Sequence, residues 1–466
     1  MSRREKSYAI DMCTGVIWKN ILRFALPLVC SSVLQLLFNA ADIVVVGRFA
    51  GDNSLAAVGS NGSLIHLLTN LFIGLSVGAN VTAAKCFGAR DEQNLGRTVH
   101  TAMLLSLVSG SLLAVVGAIG ARQILIWMQS PENVLPLATV YLRIYFLGMP
   151  ATMIYNFGSA LLRSMGDTKR PLHYLSLAGL VNVVLNLFLV IPLHMDVAGV
   201  ALATVISQTI SAALILRCLI REKGSIHLDI RHLKIHKDQL KEILRVGIPA
   251  GIQGILFSIS DVVIQSSVNS FGEITMAGNS AAANIEGFIY FSMNAFYQAA
   301  ISFTGQNMGA GLHKRVYRIL GAAQFFSIAT GLLLGTLFWT FGHPLLSLYT
   351  KSPAVVQAGM IRLGIVARTC ALFGAVDTMV GVLRGMGYSV MPMVVSLVGT
   401  CALRLVWIST VFQIPRFHTI EAVYIVYPIT WAVTLSIHIL CFLWAMRQVE
   451  NQAMEHPDSP SCARQL

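Results

Sequence analysis

Asp42 is a carboxylate in a stretch that is otherwise apolar enough to lie in hydrocarbon, where an ionisable group can bind a cation or exchange a proton. It closes a polar series, Ser31, Gln35, Asn39 and Asp42, at i, i+4, i+8 and i+11, which a helix brings to one face. Such a stripe does not face lipid. Either it lines a polar cavity, or it hydrogen-bonds to neighbouring helices while Asp42 pairs with a cation. The cavity is the leading expectation.

Further polar residues fall at helical spacing elsewhere. Asn182 and Asn186 are four apart, so their amides face one way. An amide hydrogen-bonds but does not titrate, so the pair either completes a polar pocket around Asp42 or joins helix to helix. His66 and Asn70 form another i, i+4 pair. Histidine titrates near neutral pH, which makes His66 either an ion-coupling relay with Asp42 or an interhelical contact. Asn156, Gln265 and Tyr290 complete the expected cavity lining. The second half is richer in charge: Asp261, Glu286, Arg368, Asp377 and Arg404 all fall within apolar stretches. Acids and bases at similar depth can cancel, so these five are expected to form a structural charge network.

The elements that must position these residues are membrane-spanning helices. A span needs about 20 apolar residues, and the chain offers twelve: 20–47, 54–80, 98–121, 135–162, 172–193, 196–219, 243–269, 277–304, 316–341, 355–383, 392–414 and 420–446. Lys and Arg crowd the loops after even-numbered spans and are isolated after odd-numbered ones, which puts both termini in the cytoplasm. A basic linker, 220–242, separates a lobe at 1–219 from a lobe at 243–447. Residues 448–466, with two prolines and no apolar periodicity, read as a disordered tail.

The two halves repeat one pattern. Leu22-Arg23-Phe24-Ala25-Leu26-Pro27 returns as Leu244-Arg245-Val246-Gly247-Ile248-Pro249, and Ser130-Pro131 returns as Ser352-Pro353. Leu162-Arg163-Ser164-Met165-Gly166 returns as Leu383-Arg384-Gly385-Met386-Gly387. The constant offset implies a duplication, and six spans per copy keep both copies in one orientation: an all-α polytopic membrane protein of twelve transmembrane helices in two parallel six-helix repeats. Pro27 and Pro249 each remove one helix hydrogen bond at matching places and are the expected hinges.

Composition agrees. Of 466 residues, 55% are hydrophobic and only 12% charged, about half the charge share of a soluble domain. Mean hydropathy is +0.69. The net charge of +12 lies in the short loops, as topology signals do, and does not point to nucleic acid. Eight cysteines contain no CxxC pair, so neither a disulfide nor a metal site is expected, and no cofactor is implied. The first apolar run is too long for a signal peptide and is expected to stay in the mature chain.

Three runs carry a resemblance: Asn39-Ala40-Ala41-Asp42 with Val46-Gly47-Arg48, Ala160-Leu161-Leu162-Arg163-Ser164-Met165-Gly166-Asp167-Thr168, and Gly305-Gln306-Asn307-Met308-Gly309-Ala310-Gly311. Together they resemble the multidrug and toxic compound extrusion (MATE) family over nearly all of residues 15 to 447. The resemblance implies two six-helix lobes and efflux of organic cations or metabolites driven by inward proton or sodium flow. It places the family's first-helix proline on Pro27 and its first-helix aspartate on Asp42. Where many members carry a second aspartate, this chain has Asn186. The family also suggests that acids on spans 7 and 10 hold sodium.

The leading expectation is therefore a monomeric secondary antiporter in the plasma membrane, its partners being a small-molecule substrate, a proton or sodium ion, and membrane lipid. A flippase for lipid-linked sugars, with Arg368 and Arg404 meeting a pyrophosphate, is the alternative within transport. A membrane-embedded enzyme is the alternative from another class. It lacks the DDxxD or HExxH motif such chemistry requires.

Overall fold

Inside a bilayer no water satisfies backbone N–H and C=O groups, so a spanning chain must bond them internally, as a helix does. In the computed structural model every regular element among the described residues is helical. The described residues are 9–128, 131–222, 224 and 226–455. Among these residues ten helices are long and apolar enough to cross a membrane, and eleven if one bent pair counts as a single span.

Helices α1 (Ile17–Phe49), α2 (Asp52–Ala89) and α3 (Glu92–Trp127) follow the first three expected spans. The fourth is broken into α4 (Leu135–Leu147) and α5 (Met149–Ser164), which meet at 47°. Pro150 explains the break: it has no N–H to give and disfavours helical backbone in the residue before it. Next come α6 (Lys169–Val190), α7 (Asp196–Arg221) and α8 (Lys237–Asn269). The eighth expected span lies in α9 (Glu273–Gly309), 37 residues long, which is less apolar than the others because Asn279, Asn284, Glu286, Asn294 and Gln298 interrupt it. After α10 (His313–Thr340) and a short α11 (Gly342–Ser347), the tenth span is α12 (Pro353–Arg362), a π turn at Leu363–Ala367, and α13 (Arg368–Met386). The eleventh is α14 (Val390–Ser396), a π turn at Leu397–Ala402, and α15 (Leu403–Ser409). A π turn inserts a residue into the helical register and rotates whatever follows. Arg368 comes directly after the first π turn, and Arg404 two residues after the second.

Last is α16 (Ile420–Glu455), which overturns the expected tail in part. Helix continues through 448–455 because that stretch is rich in Glu, Gln, Ala and Met, all good helix formers. Residues 456–466 lie outside the described residues.

The fold divides into two compact units. One comprises Met1–Ile10 and Cys30–Gly251; the other comprises Asp11–Val29 and Ile252–Leu466. The two boundaries that lie inside helices fall two residues beyond a proline, Pro27 in α1 and Pro249 in α8. The start of each of these helices is thus grouped apart from its remainder, unlike the lobes expected from sequence.

In the first unit α2 and α8 approach through two small-residue pairs, Gly74/Gly78 and Gly247/Gly251. A Cβ on Gly247 would meet Leu75 Cα at 2.7 Å, and one on Gly251 would meet Leu71 Cα at 2.6 Å. Added side chains on Gly74 and Gly78 would strike the backbone of Gly251 and Ile243. This is the small-xxx-small geometry that lets membrane helices touch backbone to backbone. The same stretch, Gly74-Leu75-Ser76-Val77-Gly78, spells GxSxG. A nucleophile elbow needs a strand-to-helix turn, whereas Ser76 lies mid-helix with its hydroxyl donating to the Ile73 carbonyl at 2.7 Å. In the second unit Trp18 lies edge-on to Phe325 and Phe326, and Phe24 meets Phe303 at 5.6 Å.

Candidate functional site

In the first unit Asp42, at the end of the polar stripe of α1, meets Asn186 of α6. The Asn186 amide nitrogen donates to Asp42 Oδ1, and also to Asn182 Oδ1 at 3.3 Å. Asn182 in turn donates to the Thr204 hydroxyl of α7 at 3.4 Å, and Thr204 donates to the Val200 carbonyl at 3.0 Å. The two helices come close because Gly179, two turns before Asn186, leaves room for the ring of Phe38, one turn before Asp42. Any Cβ on Gly179 would overlap that ring.

Asn186 is fully buried, yet its Oδ1 has no hydrogen-bond partner. Asp42 is half-buried, and no cation lies within 4.0 Å of it among the described residues. The cluster is therefore one carboxylate held by an uncharged donor, with an acceptor oxygen beside it. It can accept a proton or a cation's donors, and it has no built-in counter-charge. Gln35 and Asn39 are exposed along the same helix, while Asn70 and Asn156 are half-buried. The side chain of His66 lies outside the described residues.

The second unit treats its charges differently. Arg362 donates through Nε to both Glu286 oxygens at 3.1 Å, and through Nη2 to Oε2 at 2.7 Å. Its remaining Nη1 reaches Asn279 Oδ1 at 2.7 Å, where the Tyr424 hydroxyl also donates at 3.1 Å. Asn279 then donates to Gln265 at 2.8 Å, and Gln265 donates to Asn269 at 2.8 Å. Gln265, expected to line the cavity, is here a link in this chain of bonds. A multidentate guanidinium–carboxylate pair buried among aromatics is satisfied and structural in character. Arg404 sits over the ring of Tyr427 at 4.2 Å, with Asp261 at 3.6 Å and the Thr430 hydroxyl at 3.4 Å.

Two members of the expected network stand apart. Arg368 is not joined to a carboxylate among the described residues; its guanidinium covers the Trp339 ring at 4.5 Å. Arg362, six residues earlier, takes the role expected of it. Six residues turn a regular helix by about 120° net, and the intervening π turn adds to that, so the two arginines face different neighbours. Asp377 also has no arginine within 4.0 Å among the described residues. It accepts from the Asn294 amide at 3.5 Å. Nearby, Arg384 is held by the Tyr297 hydroxyl and by Gln253 Oε1 at 2.9 Å. The Tyr290 ring stays 39% exposed, with Phe291 and Phe373 each at 5.3 Å.

Arg362 is absent from the residues expected from sequence; its place inside an apolar span marks it as a candidate cation, but which of Arg362 and Arg368 meets Glu286 depends on the π turn between them.

The model of the MatE family matches residues 27–188 and again 249–408. YoeA, a probable multidrug resistance protein of Bacillus subtilis, is 29% identical over 445 residues, 93% of this chain and 95% of that protein. NorM of Thermotoga maritima, also a probable multidrug resistance protein, is 25% identical over 394 residues, 84% of each. Among solved structures, a MOP superfamily transporter from Pyrococcus furiosus superposes with a TM-score of 0.87 at 22% identity, covering 97% of this chain and 100% of that one. An outward-facing multidrug resistance MATE family transporter gives 0.85 at 22% identity, covering 97% and 99%. None of these matches favours the flippase reading. The chain belongs to the MatE family of multi-pass membrane transporters.

Proposed function

We propose that this protein is a secondary antiporter of the plasma membrane, acting as a monomer with both termini in the cytoplasm. It exports amphipathic organic cations by alternating access while protons or sodium ions enter. Twelve helices in two parallel repeats, α9 being the one too polar for a simple hydropathy test, fit the doubled family match. In this reading the lobes 1–219 and 243–447, joined by 220–242, move about Pro27 and Pro249.

One observation carries the reading. Among the described residues Asp42 is bonded by an amide and paired with no cation, whereas Glu286 and Asp261 each face an arginine. A carboxylate without a counter-charge must find one in a proton, a sodium ion or a cationic substrate, and competition among these is what couples their movements. Asp377, also bound by an amide, is the second candidate for coupling on the same ground.

The test is solute counterflow in proteoliposomes with a panel of organic cations, under separately imposed pH and sodium gradients. Export of cations against their gradient when either ion gradient is applied supports the proposal. Uptake of anions or neutral solutes alone, or indifference to both gradients, contradicts it.

A further inference from the structure

Outside the polar cluster of Asp42, the first unit carries a cavity of about 380 Å³ at the basic end of α6 and α7. Its walls include Arg170, Tyr174, Arg217, Cys218, Arg221 and Glu222. Three guanidiniums thus face one carboxylate, and that carboxylate is already engaged, since Arg170 Nη1 donates to Glu222 Oε2 at 2.6 Å. Arg170 is further fixed by Asp167, which accepts from its Nε and from its backbone N–H. Arg217 and Arg221 are both exposed, stand one turn apart on α7, and form no ion pair among the described residues. Arg170 is thus neutralised by two carboxylates, and the cavity's uncompensated positive charge is that of Arg217 and Arg221. A guanidinium pair in that arrangement suits a phosphate's oxygens.

Two apolar stripes lead into this cavity. On α6, Leu177, Leu180 and Val184 are 49%, 62% and 57% exposed. On α7, Ile206 and Ala213 are exposed and continue in helical register to Arg217 and Arg221. On helices that cross a membrane, such stripes face acyl chains. A ligand combining a phosphate with hydrocarbon satisfies both surfaces at once, and basic pockets between membrane helices are where anionic head groups settle.

We propose that this cavity is a binding site for an anionic glycerophospholipid, with its phosphate between Arg217 and Arg221 and its acyl chains along α6 and α7. The free thiol of Cys218, which accepts from Arg170 Nη1 at 3.1 Å, lies behind the phosphate and reports on occupancy.

The full-length protein in detergent micelles is exposed to a maleimide, and alkylation of Cys218 is followed by peptide mass spectrometry. Added probes are dioctanoylphosphatidylglycerol, dioctanoylphosphatidylcholine and inorganic phosphate. The phosphatidylglycerol should slow Cys218 alkylation saturably, and the other two should not. Each arginine is worth about fivefold in affinity, so Arg217→Gln with Arg221→Gln should need about 30-fold more of the anionic lipid for equal protection. The doubly lysine-substituted protein, which keeps the charges, should stay within a few-fold of the parent. Equal protection by phosphatidylcholine would reduce the cavity to an apolar surface. Full protection by inorganic phosphate would make it a site for free anions. An unchanged concentration dependence in the glutamine variant would remove the arginines from binding. Any of these three results overturns the proposal. If the glutamine variant does not fold, the probe comparison on the unsubstituted protein still decides it.

Discussion

Asn186 donates to Asp42 across 144 residues of chain, joining α6 to α1 by a bond between an uncharged donor and a carboxylate. The amide satisfies part of the carboxylate's hydrogen-bonding capacity and leaves its charge unbalanced. Asn186→Leu, similar in bulk, should therefore keep the fold and lower ion-driven export by tenfold or so, since a lost hydrogen bond to a charged group is worth about 1.5–3 kcal/mol. Initial rates in proteoliposomes measure this. Parental rates in the leucine variant would show that the bond has no part in transport.

Arg362 and Glu286 should behave as a structural pair. Removing one partner leaves a buried charge, which costs about 3–5 kcal/mol, whereas replacing both with apolar residues of similar size costs far less. Arg362→Ala should thus lower the unfolding temperature in detergent more than the double change Arg362→Met with Glu286→Leu. If the single variant melts at the parental temperature, the pair is not structural.

How far these two networks were legible in the sequence differs. The Asp42 stripe and the Asn182–Asn186 pair follow from helical spacing, and their meeting was one of two arrangements that spacing left open. The choice of Arg362 over Arg368 was not legible. It depends on a π turn, an insertion into helical register that leaves no trace in composition. The break at Gly148 was signalled by Pro150, but hydropathy averages across such a break. Two prolines and no apolar periodicity point to disorder from 448 onward, but both prolines lie beyond Glu455, and up to that residue good helix formers extend a helix already begun. The grouping of the starts of α1 and α8 apart from their remainders is tertiary, and no local pattern announces it.

The glycine contact between α2 and α8 gives a third expectation. Gly78→Ala or Gly247→Ala puts a methyl into backbone, and overpacking of this kind costs about 1–3 kcal/mol. Gly224→Ala, at a position where a Cβ meets nothing within 4 Å, should cost little by comparison. Thermal unfolding of the three variants orders them. Equal stability of all three would mean that the helices have room to separate.

Asp91 caps α3 in the loop before it, accepting from the Asn94 backbone N–H at 3.0 Å and from its side-chain amide at 2.7 Å. These bonds, the backbone one foremost, hold its carboxyl below the usual carboxylate range. A lowered folded-state value means the cap's stabilisation is present above the unfolded value and fades as pH falls through the folded one. Asp91→Ala should therefore cost about 1 kcal/mol at neutral pH and progressively less on strong acidification. A penalty that does not shrink in acid would assign the effect to something other than the ionised cap.

In the proposed mechanism Asp42, paired with no cation among the described residues, exchanges the driving ion for the exported one. The most direct measurement is concentrative export by Asp42→Asn in proteoliposomes under an imposed proton or sodium gradient, with folding and insertion checked by size exclusion and protease accessibility. The account predicts near-complete loss of ion-driven accumulation in a folded, inserted protein. Undiminished extrusion by that variant under the same gradients would contradict it and move coupling to another carboxylate, Asp377 first.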